Sequence, residues 1–517
     1  MGGTETQLTG PDFGTGVDDP RLDENGKLLG HANGEAVLLA KVGGEYVAVA
    51  SSCTHYGGPL AEGAIENGHV RCPWHHACFS LRTGEALRAP ALSPIACYEV
   101  TTSGGTVTVG RKIERDPLSP TYPMPSNKPA TLPSNVVILG AGAAGSAAAE
   151  MLRRCGFGGD ITVIDGEDAS PYDRPNLSKD YLAGNAPEEW IPLRPADFYE
   201  QHHVSVRRGR ASRIDVAGNK VEMENATPVS FDALLIATGA EPIRLQLPGE
   251  DQPHVHVLRS LNDSRAIIQA SKTAKRAVVI GGSFIGLETA ASLRVRNIEV
   301  HVVAPESVPL ERVLGTELGT FIKSLHEEKG VVFHLGRKPQ KIEKESVMLD
   351  DNTKLDADLV VLGVGVRPRT QLAEAAGLAM DKGVKVNEYL ETSASGVYAA
   401  GDIARWPDPH SGADIRVEHW VVAQRMGQTA ARNILGAREK FDQVPFFWSA
   451  HYDVSINYVG HAEKWDRTVV DGDAAKRDVT VRYEQNGKTL AVATIYRDEE
   501  STNAELAMER GEEPLKT

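Results

Sequence analysis

The chain has 517 residues, of which 41% are hydrophobic, and a formal charge of -15 at pH 7. That length predicts three or four domains at roughly 100–200 residues each. The acidic balance argues against coating nucleic acid or anionic lipid, five cysteines cannot make a disulfide scaffold, and no apolar run is long enough to span a membrane. The first thirty residues are polar and rich in Gly and Asp, with no signal-peptide core, so a cytoplasmic protein is expected.

In chain order, "EAVLLAKV", "EYVAVA" and "GTVTVG" are short alternating runs between Gly-rich turns, and they predict a small antiparallel β domain. Within it lie "CTHYGGPL" and "CPWHHACF", a C-x-H and a C-x2-H separated by sixteen residues: Cys53, His55, Cys72 and His75. Two Cys and two His suit tetrahedral zinc, and zinc is the competing reading. A zinc finger, however, pairs its cysteines in one knuckle and its histidines in the other, whereas each loop here offers one of each. Cys78, Cys97 and Cys155 read as small apolar residues. Residues 114–134 hold six prolines and no apolar period, and predict an extended linker.

Beyond it the texture becomes strand, glycine loop and helix, the mark of parallel α/β sheets. "NVVILGAGAAGSAAAE" carries Gly140, Gly142 and Gly145 in a G-x-G-x-x-G turn, and Asp165 ends the next strand twenty residues after Gly145, placed for a ribose with Glu167 as fallback. A second copy, "RAVVIGGSFIGLETAASL", keeps Gly281 and Gly286 but has Ser283 in the middle. Its acid position is Ala304, with Glu306 two residues on and no cation in the strand end to neutralise a 2′-phosphate, which favours NAD(H). Two dinucleotide folds in one chain predict a flavin and a nicotinamide.

Three resemblances follow from these residues. The paired loops, with Gly57, Gly58, Pro59, Leu60 and Pro73 around them, resemble the Rieske 2Fe–2S motif, His76 standing where that family usually has glycine. Gly58 and Trp74 stand where the respiratory branch has its disulfide cysteines, so the resemblance implies the ferredoxin-type branch. "SPYDRPNLSKDYL", "RVEHWVVAQRMG" and "VPFFWSAHYDVSINYVG" resemble the oxygenase-coupled ferredoxin reductases and the apoptosis-inducing-factor-like flavoproteins. That implies flavin contacts for Arg174, Pro175 and Lys179, a Lys179–Glu288 pair, and Glu418, His419 and Trp420 near the isoalloxazine. "LLIATGAEP", "LVVLGVGVRP" and "GVYAAGDIA" are similar to that family's strand ends, bringing Thr238, Gly239, Gly365, Gly401 and Asp402 to the cofactors. A helix cap for Asp402, a surface salt bridge for Lys179 and core packing for Trp420 are the plain alternatives.

The expected organisation is an all-β Rieske domain over 1–113, a linker over 114–134, an FAD-binding domain over 135–251 and 363–440, a NAD-binding domain over 252–362 and an α+β C-terminal domain over 441–517. The expected function is electron transfer from NADH to FAD, to the cluster, and on to an external acceptor protein or small molecule. An NADH-responsive redox sensor and a peroxide-producing NADH oxidase fit the same elements.

Overall fold

The computed structural model describes residues 8–18, 20–23, 26–114 and 132–515. Most of the expected Pro-rich linker, 115–131, lies outside the described residues.

The N-terminal region is all β. Six antiparallel strands run in the order Val17–Asp18, Thr106–Ile113, Cys97–Ser103, Glu45–Ala50, Glu35–Val42, Lys27–Ala32. A four-stranded antiparallel sheet, from Ala64–Glu66 to Ala86–Arg88, carries the second Cys/His loop between His69–Arg71 and Cys78–Ser80.

Two parallel sheets of five strands follow. The first runs Val204–Arg208, Asp160–Asp165, Asn135–Leu139, Ala233–Ile236, Val397–Ala399. The second, inserted before its last strand, runs Val255–Val257, Leu359–Leu362, Arg276–Ile280, Glu299–Ala304, Val331–Leu335. Inner strands such as "NVVIL", "ALLI" and "LVVL" are almost continuously apolar because both sheet faces are covered. The C-terminal region is a five-stranded antiparallel sheet, Phe446–His451 to Lys488–Ile495, closed by the helix Asp498–Glu509. This is the expected fold class.

One helix joins these parts. Trp420–Ile434 is buried along nearly its whole length. It crosses Ala143–Arg154 so closely that a Cβ on Gly427 would lie 2.1 Å from the Ala144 carbonyl oxygen. Its other side meets the Rieske region: Gln428 accepts from the Ala89 amide at 3.1 Å and Arg425 donates to the Ala89 carbonyl at 3.2 Å. Gly427→Val should force the helices apart and destabilise the chain by about 1–3 kcal/mol or more. Thermal scanning checks this, and an unaltered melting temperature contradicts the close crossing.

Candidate active site and cluster loops

The two Cys/His loops are built alike. Cys53 and Cys72 each donate their amide to the carbonyl five residues on, Gly58 and Ala77, both at 2.8 Å. Each cysteine carbonyl accepts from the amide four residues on, Gly57 at 2.9 Å and His76 at 3.0 Å. Closing such a loop needs a left-handed residue at that fourth place, and Gly57 (φ 77°) and His76 (φ 60°) both supply it. His76 therefore keeps the dihedral of the expected glycine and adds a side chain.

The four side chains suit a 2Fe–2S cluster. The Nδ1 atoms of His55 and His75 lie 3.3 Å apart. Two nitrogens about 2.0–2.1 Å from one tetrahedral metal would stand about 3.4 Å apart. The buried thiols of Cys53 and Cys72 face each other, and amides of their own loops point at the sulfurs, the His55 N–H at 3.5 Å from Cys53 Sγ. Burial pushes His55 down to about 3 and His75 well below its usual range, keeping both imidazoles neutral. No three His, Cys, Asp or Glu side chains converge on one point among the described residues. A two-iron cluster asks for two protein ligands per iron, so this pairing matches it. None of the five cysteines is in a disulfide, and Gly58 and Trp74 stand beside the cluster loops.

The main cavity, about 850 Å³, runs along the first parallel sheet and opens toward the second. Gly140 and Gly142 line it where the helix Ala143–Arg154 starts without a side-chain cap, so its first amides face the space. Asp165, Arg174, Pro175, Lys179, Thr238, Gly239, Glu288, Gly401, Asp402, Glu418, His419 and Trp420 also line it. Lys179 Nζ is 2.7 Å from Glu288 Oε2, the expected pair. Asp402 is held by Arg259 at 2.7 Å, and no helix follows for it to cap. His419 lines the cavity, and its Nδ1 is buried without a hydrogen-bond partner. Asp165 accepts from Arg208 at 2.7 Å, while Glu167 pairs with Arg174 at 3.1 Å and bonds Tyr172.

Other expected residues stand apart from this lining. Gly145 packs one turn inside its helix, against the Gly140 carbonyl. Gly281, Ser283 and Gly286 form the equivalent turn of the second sheet, where Ser283 is an N-cap: its hydroxyl accepts from the Gly286 amide at 3.2 Å and donates to the Gly363 carbonyl at 2.6 Å. Gly365 adjoins it, left-handed at φ 99°. At Glu306 the expectation of a strand end without a cation is corrected. Arg312, from the following helix, reaches within 3.8 Å of Glu306, a neighbour invisible to a reading of the strand alone.

Cluster loops and cavity meet across the strand Phe446–His451. Its period of two aims Phe446 and Trp448 at the Rieske region, and Phe447, Ser449 and His451 the other way. Phe446 stacks on His76 at 4.1 Å, and Trp448 lies 4.3 Å from His75 and 6.1 Å from His55. Trp448 also lines the cavity. Behind this contact Glu505, with no exposed surface, accepts from Arg71 at 2.9 Å, Arg425 at 2.6 Å and His76 Nδ1 at 2.8 Å, while Ser501 meets His76 Nε2 at 3.2 Å. Burial alone would push the Glu505 carboxyl up, but Arg425, His76 and Arg71 hold it well below the usual carboxylate range. Glu509 binds Arg71 and Arg88, Asp173 binds Tyr56, and Glu85 binds Arg154. None of these contacts was read from sequence.

The class this geometry defines is a two-dinucleotide flavoprotein reductase with a Rieske domain seated on it. Family models agree, matching pyridine nucleotide-disulphide oxidoreductase over 134–427, Rieske [2Fe-2S] domain over 19–99 and reductase C-terminal over 446–517. Apoptosis-inducing factor 3 of Mus musculus is 31% identical over 482 residues, covering 89% of this chain and 78% of that protein. The anthranilate 1,2-dioxygenase system ferredoxin–NAD(+) reductase component of Burkholderia cepacia is 33% identical, over 69% of this chain and 90% of its own length. The covalent putidaredoxin reductase–putidaredoxin complex superposes with a TM-score of 0.71 at 32% identity, covering 74% of this chain and 94% of that one. The chain belongs to the pyridine nucleotide-disulphide oxidoreductase family, among its Rieske-bearing, apoptosis-inducing-factor-like ferredoxin reductases. It is an FAD-dependent oxidoreductase whose cofactors are FAD, NAD(H) and a 2Fe–2S cluster.

Removing Glu505 would leave the buried Arg425 without its counter-charge and Arg71 with Glu509 alone, a loss of about 3–5 kcal/mol. Glu505→Ala should lower the melting temperature and expose the Rieske region to protease. Wild-type melting and protease resistance would show that the ion cluster does not hold the domains together.

Proposed function

We propose that the chain takes electrons from NADH into FAD, passes them singly to its own Rieske cluster, and delivers them to an external one-electron acceptor. The observation that carries this reading is Trp448, 4.3 Å from His75 on one side and lining the cavity on the other. Bound FAD couples the two-electron chemistry of a nicotinamide to the one-electron chemistry of an iron–sulfur cluster.

The residues supply the rest. Gly140 and Gly142 offer helix-end amides to the pyrophosphate of FAD, Asp165 or Glu167 its ribose, and Asp402 its ribityl chain. Lys179, held by Glu288, and the segment Glu418, His419 and Trp420 border the isoalloxazine, with Arg174, Pro175, Thr238 and Gly239 completing the wall. Gly281, Ser283 and Gly286 receive the nicotinamide dinucleotide, Gly365 closes over it, and Glu306 faces its adenosine ribose. Cys53 and Cys72 hold one iron, His55 and His75 the other, with the imidazoles toward the cavity. The acceptor we favour is a ferredoxin- or oxygenase-type protein, because two similar chains are named as ferredoxin–NAD(+) reductase components of dioxygenase systems. Five cysteines, none of them in a disulfide, support a reducing, cytoplasmic setting.

Trp448→Leu should leave NADH reduction of FAD near wild type and slow the following reduction of the cluster at least tenfold, read by stopped-flow absorbance and the Rieske paramagnetic signal. Undiminished cluster reduction would remove Trp448 from the route. For the nicotinamide, a Glu306 carboxylate facing a 2′-phosphate should cost about 1–3 kcal/mol, roughly one to two decades in kcat/KM in favour of NADH. Equal constants for NADH and NADPH would contradict this, and would point to Arg312 as the phosphate partner.

A further inference from the structure

Beneath the Lys179–Glu288 pair a chain of polar side chains leads away from the cavity. Glu288 Oε2 accepts from Ser178 at 2.5 Å and Lys179 at 2.7 Å, and Oε1 from Ser449 at 2.6 Å. Ser449 Oγ lies 3.1 Å from His451 Nε2, His451 Nδ1 3.2 Å from His326 Nε2, and His326 Nδ1 3.5 Å from the Tyr452 hydroxyl. Both histidines are fully buried. Tyr452 is half-buried at the hairpin turn between Phe446–His451 and Val454–Gly460, with Lys329 Nζ 5.9 Å from its ring. Three elements far apart in sequence build this line: the helix starting at Phe284, the helix Glu311–Glu328 and the strand Phe446–His451.

We propose that Ser449, His451, His326 and Tyr452 form a proton relay between the Lys179–Glu288 pair and the solvent at the hairpin turn. The need for one rests on the reading above. NADH oxidised by two clusters gives NAD+, two reduced clusters and one proton. A 2Fe–2S cluster that takes only electrons leaves that proton in the cavity, where Lys179 and Glu288 stand.

Every link can both donate and accept a hydrogen bond. A serine hydroxyl, a phenol and a neutral imidazole each pass a proton by taking it on one side and releasing it on the other. The line admits two complete sets of hydrogen bonds. Donors run toward Glu288 when its carboxylate is ionised and away from it when it is protonated. One concerted shift converts the second set into the first: Tyr452 takes the proton of His326 Nδ1 and gives its own hydroxyl proton to water, so that one proton leaves the cavity for the solvent. Burial, with the charge of Lys179, pushes His451 down to about 3, and burial with His451 holds His326 well below its usual range, so both are the neutral carriers such a shift uses. Buried polar side chains unconnected to function are normally paired off locally. This line instead continues from the cavity wall to the turn.

Selective 15N-histidine NMR of the oxidised, FAD-loaded full chain tests the relay without turnover. The ring N–H of His451 should exchange with water at least tenfold more slowly in Tyr452→Phe than in the wild type. Tyr452→Phe changes only one half-buried hydroxyl, so folding is retained. A matching His326→Gln, which keeps a hydrogen-bonding group, should slow the exchange as well. Unchanged exchange in Tyr452→Phe overturns the proposal.

Proton release gives the second measurement. The chain, reduced with one equivalent of NADH, is mixed anaerobically with ferricyanide in weakly buffered phenol red. In wild type the proton should appear with flavin reoxidation, and in Tyr452→Phe it should lag at least tenfold. Release in step in both proteins means the proton leaves through the open cavity, and the relay is wrong. Should NADH fail to reduce the wild-type cluster at all, the electron route fails, while the NMR exchange still decides the relay.

Discussion

A carboxylate with no exposed surface, Glu505, fixes where the iron–sulfur domain sits. Moving such a charge out of water costs several kcal/mol, and only close counter-charges offset it. Arg71, from the Rieske region, and Arg425, from the helix that backs the flavin cavity, supply those counter-charges, and His76 adds a hydrogen bond from the Rieske side. Neither side could bury its part of this cluster alone. Separating the domains would strand Glu505 against Arg425, or Arg71 without a partner, so the docked position is the one in which all of these charges are satisfied.

The position of the cluster loops follows from that constraint. His76 reaches Glu505 only because it takes up the left-handed dihedral that closes the second loop, and the preceding residue is His75. Anchoring His76 therefore aims His75 at Trp448, across a strand whose opposite face carries Phe447, Ser449 and His451. One six-residue strand thus separates the cluster loops from the Glu288 network.

What sequence revealed of this was the chemistry carried by local motifs. The Cys53/His55 and Cys72/His75 loops, the glycine turn at Gly140, the Lys179–Glu288 pair and Asp402 are defined by residues within a few positions of one another or by a family segment, and short-range pattern is enough to find them. What it hid were pairings between distant segments. Glu505 reads as one more surface acid on a helix beginning "DEES", and nothing in "CPWHHACF" says what the second histidine touches. His326 and His451 belong to no local motif, since 125 residues separate them in the chain. Arg312 lies outside the strand end and comes near Glu306 through the helix that follows it.

The central claim is that the cluster takes its electrons from the flavin of the same chain, within the docked interface. Its most direct test is the rate of cluster reduction after mixing with NADH, followed in single turnover across a hundredfold range of protein concentration. An interface built into the fold predicts a rate that does not change with dilution. A rate falling in proportion to concentration would mean that electrons pass between molecules, and would contradict the account.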